Sequence, residues 1–167
     1  MPLKTKENIS LIGAGLSGPV MATYLSSLGF STDIYESRSD MRTNSTSAGR
    51  SINLALSARG IKALKDIGVY EKIKPTLIPM SGRMIHDGNG DVHLQPYGQK
   101  KNEVIYSVPR SNLNKTLMDY AESTNNVNFN FDHELQDIDL KRLKLRFQDR
   151  NIPFSRILGS DGASSKV

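Results

Sequence analysis

The chain has 167 residues, a formal net charge of +5 and 37% hydrophobic residues, enough for one domain, or one and a part, with a buried core. It has no cysteine, which excludes disulfides and thiolate metal sites and suits a reducing cytoplasm. No apolar run reaches the length of a membrane span, and residues 1–8 are polar, so neither a membrane segment nor a signal peptide is expected.

The first apolar run, Ile9–Ile12, leads directly into G-x-G-x-x-G at Gly13, Gly15 and Gly18. Three glycines at this spacing also occur in ordinary loops, so the context decides. Met21, Tyr24, Leu25 and Leu28 recur at helical spacing, Gly29 closes that helix, and Thr32–Glu36 reads as a second strand ending in an acid. The whole is a βαβ unit with an acid at the distance expected of a dinucleotide site. Gly13 permits the tight turn, Gly15 lets a pyrophosphate approach the backbone, and Gly18 lets helix and strand pack closely. The helix N-terminus offers free N–H groups to the phosphates. Glu36 can accept hydrogen bonds from a ribose hydroxyl pair. Its charge opposes a 2′-phosphate, so FAD or NAD fits this site better than NADP.

Residues 39–57 read as a long loop, polar over Arg42–Ser47 and running into Gly49–Ser57. Ser57 is placed to cap a helix carrying Ile61, Leu64 and Ile67, with Gly68 closing it. Pro75 and Pro79 mark an irregular passage. Ser81–His86 and Asp91–Gln95 flank Asp87-Gly88-Asn89-Gly90, a hairpin signal. A four-residue loop at 87–90 pairs Arg83 with Leu94 and puts Tyr97 on the other face; a three-residue loop at 88–90 pairs Ser81 with Tyr97, so that Arg83 and Tyr97 share a face. A bulge at Pro96 would have the same effect as the three-residue loop.

Glu103–Val108 is a further strand, stopped by Pro109. Ser111 or Asn112 is placed to cap a helix to about Ser123, with Leu113, Leu117, Tyr120 and Ala121 on one face. Val127–Phe131 is a strand, and Glu134–Leu140, Leu143–Phe147 and Ile152–Phe154 form a small meander. Ile157–Gly159 returns as an apolar strand able to share a sheet with the first βαβ unit and with Val127–Phe131. The class is α/β, with antiparallel strands inserted between βαβ units.

Other chemistries lack their residues. His86, His93 and His133 are scattered and form no zinc pattern, so no metal is expected. Pro19 rules out a nucleophile elbow around Ser17. No carboxylate pair stands out for acid–base work and no phosphate loop with a following lysine is present, so no catalytic side chain is assigned. The basic run Lys141–Phe147 alternates charged and apolar residues, the period of a half-buried strand with a solvated face, and no aromatic platform argues for nucleic acid. The positive signal is the dinucleotide site, and the chemistry would belong to its cofactor.

Several longer stretches together identify a family. Gly49–Ser57 (GRSINLALS), Pro79–His86 (PMSGRMIH), Gln95–Gly98 (QPYG), Tyr106–Asn114 (YSVPRSNLN) and Gly159–Ala163 (GSDGA) follow in order along the chain. The sequence resembles the kynurenine 3-monooxygenases, flavoprotein aromatic hydroxylases of tryptophan degradation. The resemblance implies a Rossmann-like FAD-binding fold made of residues 1–79 and 109–167, with residues 80–108 opening the substrate-binding antiparallel section. It implies FAD as cofactor, NADPH and O2 as co-substrates and L-kynurenine as substrate. By motif, Ser17, Glu36, Arg38, Ala55, Arg110, Leu135 and Asp161 join Gly13, Gly15 and Gly18 at the FAD. Arg83 and Tyr97 would hold the carboxylate of kynurenine, a suitable task for a guanidinium fork and a phenol. Without the resemblance, Arg83 reads as a solvated strand arginine, Tyr97 as hairpin packing and Arg110 as a loop arginine. The family pattern runs on past residue 167 to a second flavin motif and more substrate sheet. The chain is therefore expected to be an N-terminal part, inactive alone, whose exposed apolar surfaces favour self-association. Another flavin hydroxylase and a non-catalytic nucleotide-binding fragment are the alternatives.

Overall fold

The computed structural model describes residues 6–43, 52–100 and 102–167. Its first elements are β1 (Lys6–Ile12), α1 (Ser17–Ser27), β2 (Phe30–Tyr35), β3 (Asn53–Leu56), α2 (Ala58–Asp66), α3 (Tyr70–Ile73), β4 (Ile78–Met80), β5 (Gly82–His86) and β6 (Val92–Pro96). There follow β7 (Ile105–Pro109), α4 (Arg110–Glu122), β8 (Val127–Asn130), β9 (Asp137–Asp139), β10 (Lys144–Arg146), β11 (Asn151–Pro153) and β12 (Arg156–Gly159). The chain divides into two compact units, residues 1–49 with 114–167, and residues 50–113. The predicted loop over residues 44–51, including Gly49, Arg50 and Ser51, lies outside the described residues.

The first unit is built on a parallel sheet in the order β12-β1-β2-β8. Ile9 to Ile12 face Arg156 to Gly159 on one side, while Leu11 and Ile12 face Ile34 and Tyr35 on the other. The strands predicted to share one sheet do so. Leu11, Ala14, Ala22 and Ile34 form one buried cluster with Met118, Ala121 and Val127. A second cluster joins Ile12, Tyr35, Leu135, Leu145 and Phe147. The antiparallel meander β11-β10-β9 contributes Leu145 to it.

Helix α1 does not bury the face that periodicity picks out. Met21, Tyr24 and Leu28 are exposed, whereas Gly18, Pro19, Ala22 and Thr23 are buried. Small residues let the helix axis lie close to the sheet, and bulky ones at those positions would hold it off. Helix α4 also differs from expectation. It starts at Arg110, so Ser111 and Asn112 fall inside its first turn rather than at its cap. Its buried apolar positions are Leu113, Leu117, Met118 and Ala121, while Tyr120 is half-buried. The loop after β2 is fastened to α4 by Arg42. Its guanidinium reaches Asp40, Asp119 and Glu122 at 2.8–3.1 Å and lies over the rings of Phe129 and Phe131. Asp40, hydrogen-bonded to Arg42, is held below the usual carboxylate range.

The two arginines of the basic run are paired. Arg146 bonds Asp137 and Asp139 of the neighbouring strand, and Arg142 bonds Asp139. Leu145 and Phe147 point inward as their alternation suggests. Leu143 is exposed in a turn at φ 51°, so the strand is shorter than the pattern that announces it.

In the second unit, β3-β7-β4 form an antiparallel sheet and β5-β6 a separate hairpin. The passage with Pro75 and Pro79 holds α3, a 3-10 turn at Lys74–Thr76 and the short strand β4. Ser57 stands at the start of α2, but its hydroxyl makes no capping bond. Gly68 closes that region at φ 81°.

Candidate functional site

The turn between β1 and α1 is where the fold concentrates its constraints. Gly13 adopts φ 99°, and a Cβ there would lie 2.6 Å from the Ser160 carbonyl oxygen. A Cβ on Gly18 would collide with the Gly13 carbonyl. Both glycines are thus required by the protein's own packing. Gly15 is different, because a Cβ there meets nothing within 4 Å. The chain spends a glycine where its own atoms do not demand one, and leaves open space over the backbone. Helix α1 begins at Ser17 with no side-chain cap and no acid in its first turn, so its leading N–H groups stay available. Open space over Gly15, uncapped N–H groups and the positive end of a helix fit a pyrophosphate.

The turn is held from several sides. The Gly13 N–H donates to the Tyr35 carbonyl at 2.8 Å. Ser160 donates from its hydroxyl to the Gly13 carbonyl at 2.7 Å. The Ala14 N–H donates to Glu36 Oε2 at 2.7 Å, and Asn114 Nδ2 donates to the Ala14 carbonyl at 3.2 Å.

Glu36 lies at the end of β2 and is 5% exposed. Its Oε1 accepts from the Arg38 N–H at 3.0 Å, Arg38 Nε at 2.7 Å and the Ser37 hydroxyl at 3.3 Å. Burial by itself raises the carboxyl pKa. The Arg38 side chain and the N–H groups of Ala14 and Arg38 outweigh it, and the net shift is downward. Glu36 is therefore an anion at neutral pH. Among the described residues Oε2 has one donor, which leaves a lone pair for one further donor such as a sugar hydroxyl.

The remaining expected site residues fall in both units. Ser17 is exposed at the start of α1, and Arg38 is exposed while bound to Glu36. Asp161 follows β12 and accepts from the Ser165 hydroxyl and the Lys166 N–H, which, against the effect of burial, lower its pKa. Leu135 is buried among Ile12, Tyr35 and Leu145, so its side chain serves the core. In the second unit Ala55 is exposed on β3 opposite Ser107, and Arg110 is exposed at the start of α4 with its N–H bound to the Ile52 carbonyl.

The hairpin takes the register of the three-residue loop. Arg83 pairs with Gln95, Met84 with Leu94, and the Tyr97 N–H donates to the Ser81 carbonyl. Arg83, Gln95 and Tyr97 therefore occupy one face, and Met84, Val92 and Leu94 the other. Arg83 Nε donates to Gln95 Oε1 at 2.7 Å, which orients the guanidinium along the face. Sequence reasoning missed Gln95, Ser160 and Asn114. Gln95 becomes visible only once the register is known. Ser160 and Asn114 act across 147 and 100 residues of chain, and no local pattern marks such contacts.

A family model described as an FAD binding domain matches residues 6–167. The chain is 40% identical over 166 residues to a kynurenine 3-monooxygenase of Legionella pneumophila, covering 96% of this chain and 37% of the relative. It is likewise 40% identical over 166 residues to the kynurenine 3-monooxygenase of Anopheles gambiae, covering 34% of that protein. The chain thus spans little more than a third of these relatives. Among solved structures, 2-methyl-3-hydroxypyridine-5-carboxylic acid oxygenase superposes with a TM-score of 0.80 at 19% identity, over 97% of this chain and 41% of that one. A Diels–Alderase of pyrroindomycin biosynthesis superposes at 0.72 and 19% identity, over 96% of this chain and 33% of that one. These likenesses establish the fold. An oxygenase and a Diels–Alderase sharing it leave the chemistry to the site.

Proposed function

Because this chain belongs to the FAD binding domain family, we propose that it is the flavin-binding N-terminal part of a monooxygenase that hydroxylates L-kynurenine to 3-hydroxykynurenine. The observation that carries this reading is the 40% identity to two kynurenine 3-monooxygenases over 96% of the chain. In the proposal residues 1–79 and 109–167 form the cofactor domain, and residues 80–108 open the substrate section.

The Gly13–Gly18 turn and Ser17 at the head of α1 hold the pyrophosphate of FAD. Glu36 takes a ribose hydroxyl on Oε2, with Arg38 fixing the carboxylate. Its negative charge disfavours a 2′-phosphate at this position, so NADPH acts as a transient donor elsewhere. Ala55, Arg110, Asp161 and the backbone at Leu135 complete the flavin contacts. Bound FAD supplies the redox chemistry, passing an electron pair from NADPH to O2 so that one oxygen atom enters the ring and the other leaves as water. The residues of this chain orient and bind. Arg83, steadied by Gln95, grips the substrate carboxylate in a charge-assisted pair, and Tyr97 on the same face adds a donor. Anchoring that end restricts where the aromatic ring can lie.

No helix among the described residues is long and apolar enough to cross a membrane. A cytoplasmic setting without nucleic-acid partners is part of the proposal, as is self-association through exposed apolar faces of the 167-residue chain. The test has two stages. The purified chain is titrated with FAD and its visible spectrum recorded. The full-length protein is then assayed for NADPH oxidation with kynurenine and with other aromatic acids. Kynurenine-stimulated oxidation with 3-hydroxykynurenine as product is the expected result; stimulation only by another aromatic acid would replace the substrate assignment. The 167-residue chain alone is expected to form no 3-hydroxykynurenine, since water reaches a site it does not enclose.

A further inference from the structure

We propose that Asn114 is a positioning residue for the dinucleotide-binding turn, aiming the Gly15 N–H at the cofactor phosphate; this rests on the FAD reading above. Asn114 is 6% exposed on α4, and its Nδ2 donates to the Ala14 carbonyl at 3.2 Å. The Ala14 N–H is taken by Glu36 Oε2 at 2.7 Å. Two successive peptide units are therefore fixed, one by each side chain. Glu36 holds the Gly13–Ala14 peptide, and Asn114 holds the Ala14–Gly15 peptide.

The second tether has a directional consequence. A trans peptide is planar, with its N–H opposed to its C=O. Binding the Ala14 oxygen to Asn114 turns the Gly15 N–H the opposite way. Among the described residues nothing accepts from the Gly15 N–H, and a Cβ at Gly15 would meet no atom within 4 Å. An unspent donor thus stands beside open space, and its direction is set by a residue 100 positions away.

Packing alone does not account for an asparagine at this place. Among the described residues its buried Oδ1 has no hydrogen-bond partner, and Nδ2 has otherwise only the Met41 sulfur at 3.3 Å. A buried orphan acceptor costs stability that an apolar side chain of similar volume would avoid. The donor to the Ala14 carbonyl is what the amide offers in return.

The test uses Asn114→Asp and Asn114→Leu in the full-length protein, with FAD as the probe. At about pH 8 both variants should bind FAD about tenfold more weakly than wild type, the loss of one hydrogen bond's influence. A buried carboxyl facing a carbonyl has a raised pKa, and its protonated form can donate to the Ala14 oxygen. Lowering the pH to about 5.5 should therefore restore FAD affinity in Asn114→Asp and leave Asn114→Leu weak. Glu36 stays ionised across this range, and wild type and Asn114→Leu measured alongside control for pH effects elsewhere in the protein. In the FAD-free chain, hydrogen exchange of the Ala14 amide should quicken in Asn114→Leu as the turn loses a tether. Wild-type FAD affinity in both variants at pH 8, or no recovery of Asn114→Asp at low pH, would overturn the proposal. Should wild type itself fail to bind FAD, the cofactor reading falls, and Ala14 exchange alone decides whether the tether exists: unchanged exchange rejects it.

Discussion

The parallel sheet of the first unit and the β5–β6 hairpin of the second use apolar residues in opposite ways. Leu11 and Ile34 are fully buried, whereas Met84, Val92 and Leu94 on one face of the hairpin are 47–58% exposed. In the sheet Leu11 and Ile34 pack into one buried cluster, and Glu36, Asn114 and Ser160 bond the backbone of the glycine turn. The hairpin carries a polar face with Arg83, Gln95 and Tyr97 and an apolar face that this chain leaves uncovered. The difference teaches that the backbone of the glycine turn is fixed by the chain's own contacts, while both faces of the hairpin stay largely exposed. Stability should therefore respond to changes around the sheet, and substrate binding to changes on the hairpin.

The sharpest break of that comparison lies within the glycine turn. Gly13→Ala forces a Cβ against the Ser160 backbone at φ 99°, and should cost about 3–5 kcal/mol in chemical denaturation. Gly15→Ala meets nothing and should stay within about 0.5 kcal/mol of wild type. Equal losses at the two positions would mean that Gly15 is a packing glycine. Next in size, Leu11→Ala should cost about 2–5 kcal/mol, against about 0.5 kcal/mol or less for Leu94→Ala. A large loss from Leu94→Ala would show that the hairpin face is covered after all, for example by self-association, which sedimentation would detect.

Arg83→Met in the full-length protein should raise KM for kynurenine by about ten- to a hundredfold, as a charge-assisted bond worth about 1.5–3 kcal/mol is lost, with FAD affinity unchanged. Concomitant loss of flavin would place Arg83 at the cofactor instead. The smallest effect concerns pH. The folded-state carboxyl of Glu36 titrates below its ordinary 4.5. Its contribution to stability is therefore full above that value and is lost as pH falls through the lower folded value. Glu36→Gln should shallow the acid limb of the stability curve and leave its slope between about pH 6 and 8 unaltered. An unchanged acid limb would contradict the stabilised carboxylate.

Much of this was legible in the residues. The β1–α1–β2 unit, the membership of β8 and β12 in its sheet, and the packing roles of Gly13 and Gly18 follow from local pattern and backbone chemistry. The buried face of α1 was not legible, because helical periodicity weighs Met21 and Tyr24 above Gly18 and Ala22, while close approach to a sheet favours the small residues. The α4 start was misplaced because Ser111 and Asn112 are good caps in isolation. The hairpin register stood between two alternatives until the pairing of Arg83 with Gln95 selected one. Asn114 and Ser160 reach the turn only through the tertiary fold, and sequence spacing carries no trace of that.

The central claim is that the open space over Gly15 belongs to the FAD pyrophosphate. FAD titration of wild type and Gly15→Val in the 167-residue chain, with circular dichroism to confirm the fold, tests it directly. The account predicts saturable FAD binding by wild type and loss of at least about tenfold in affinity for a folded Gly15→Val, since the side chain fills the space the phosphate needs. A folded Gly15→Val that binds FAD as wild type does would contradict it.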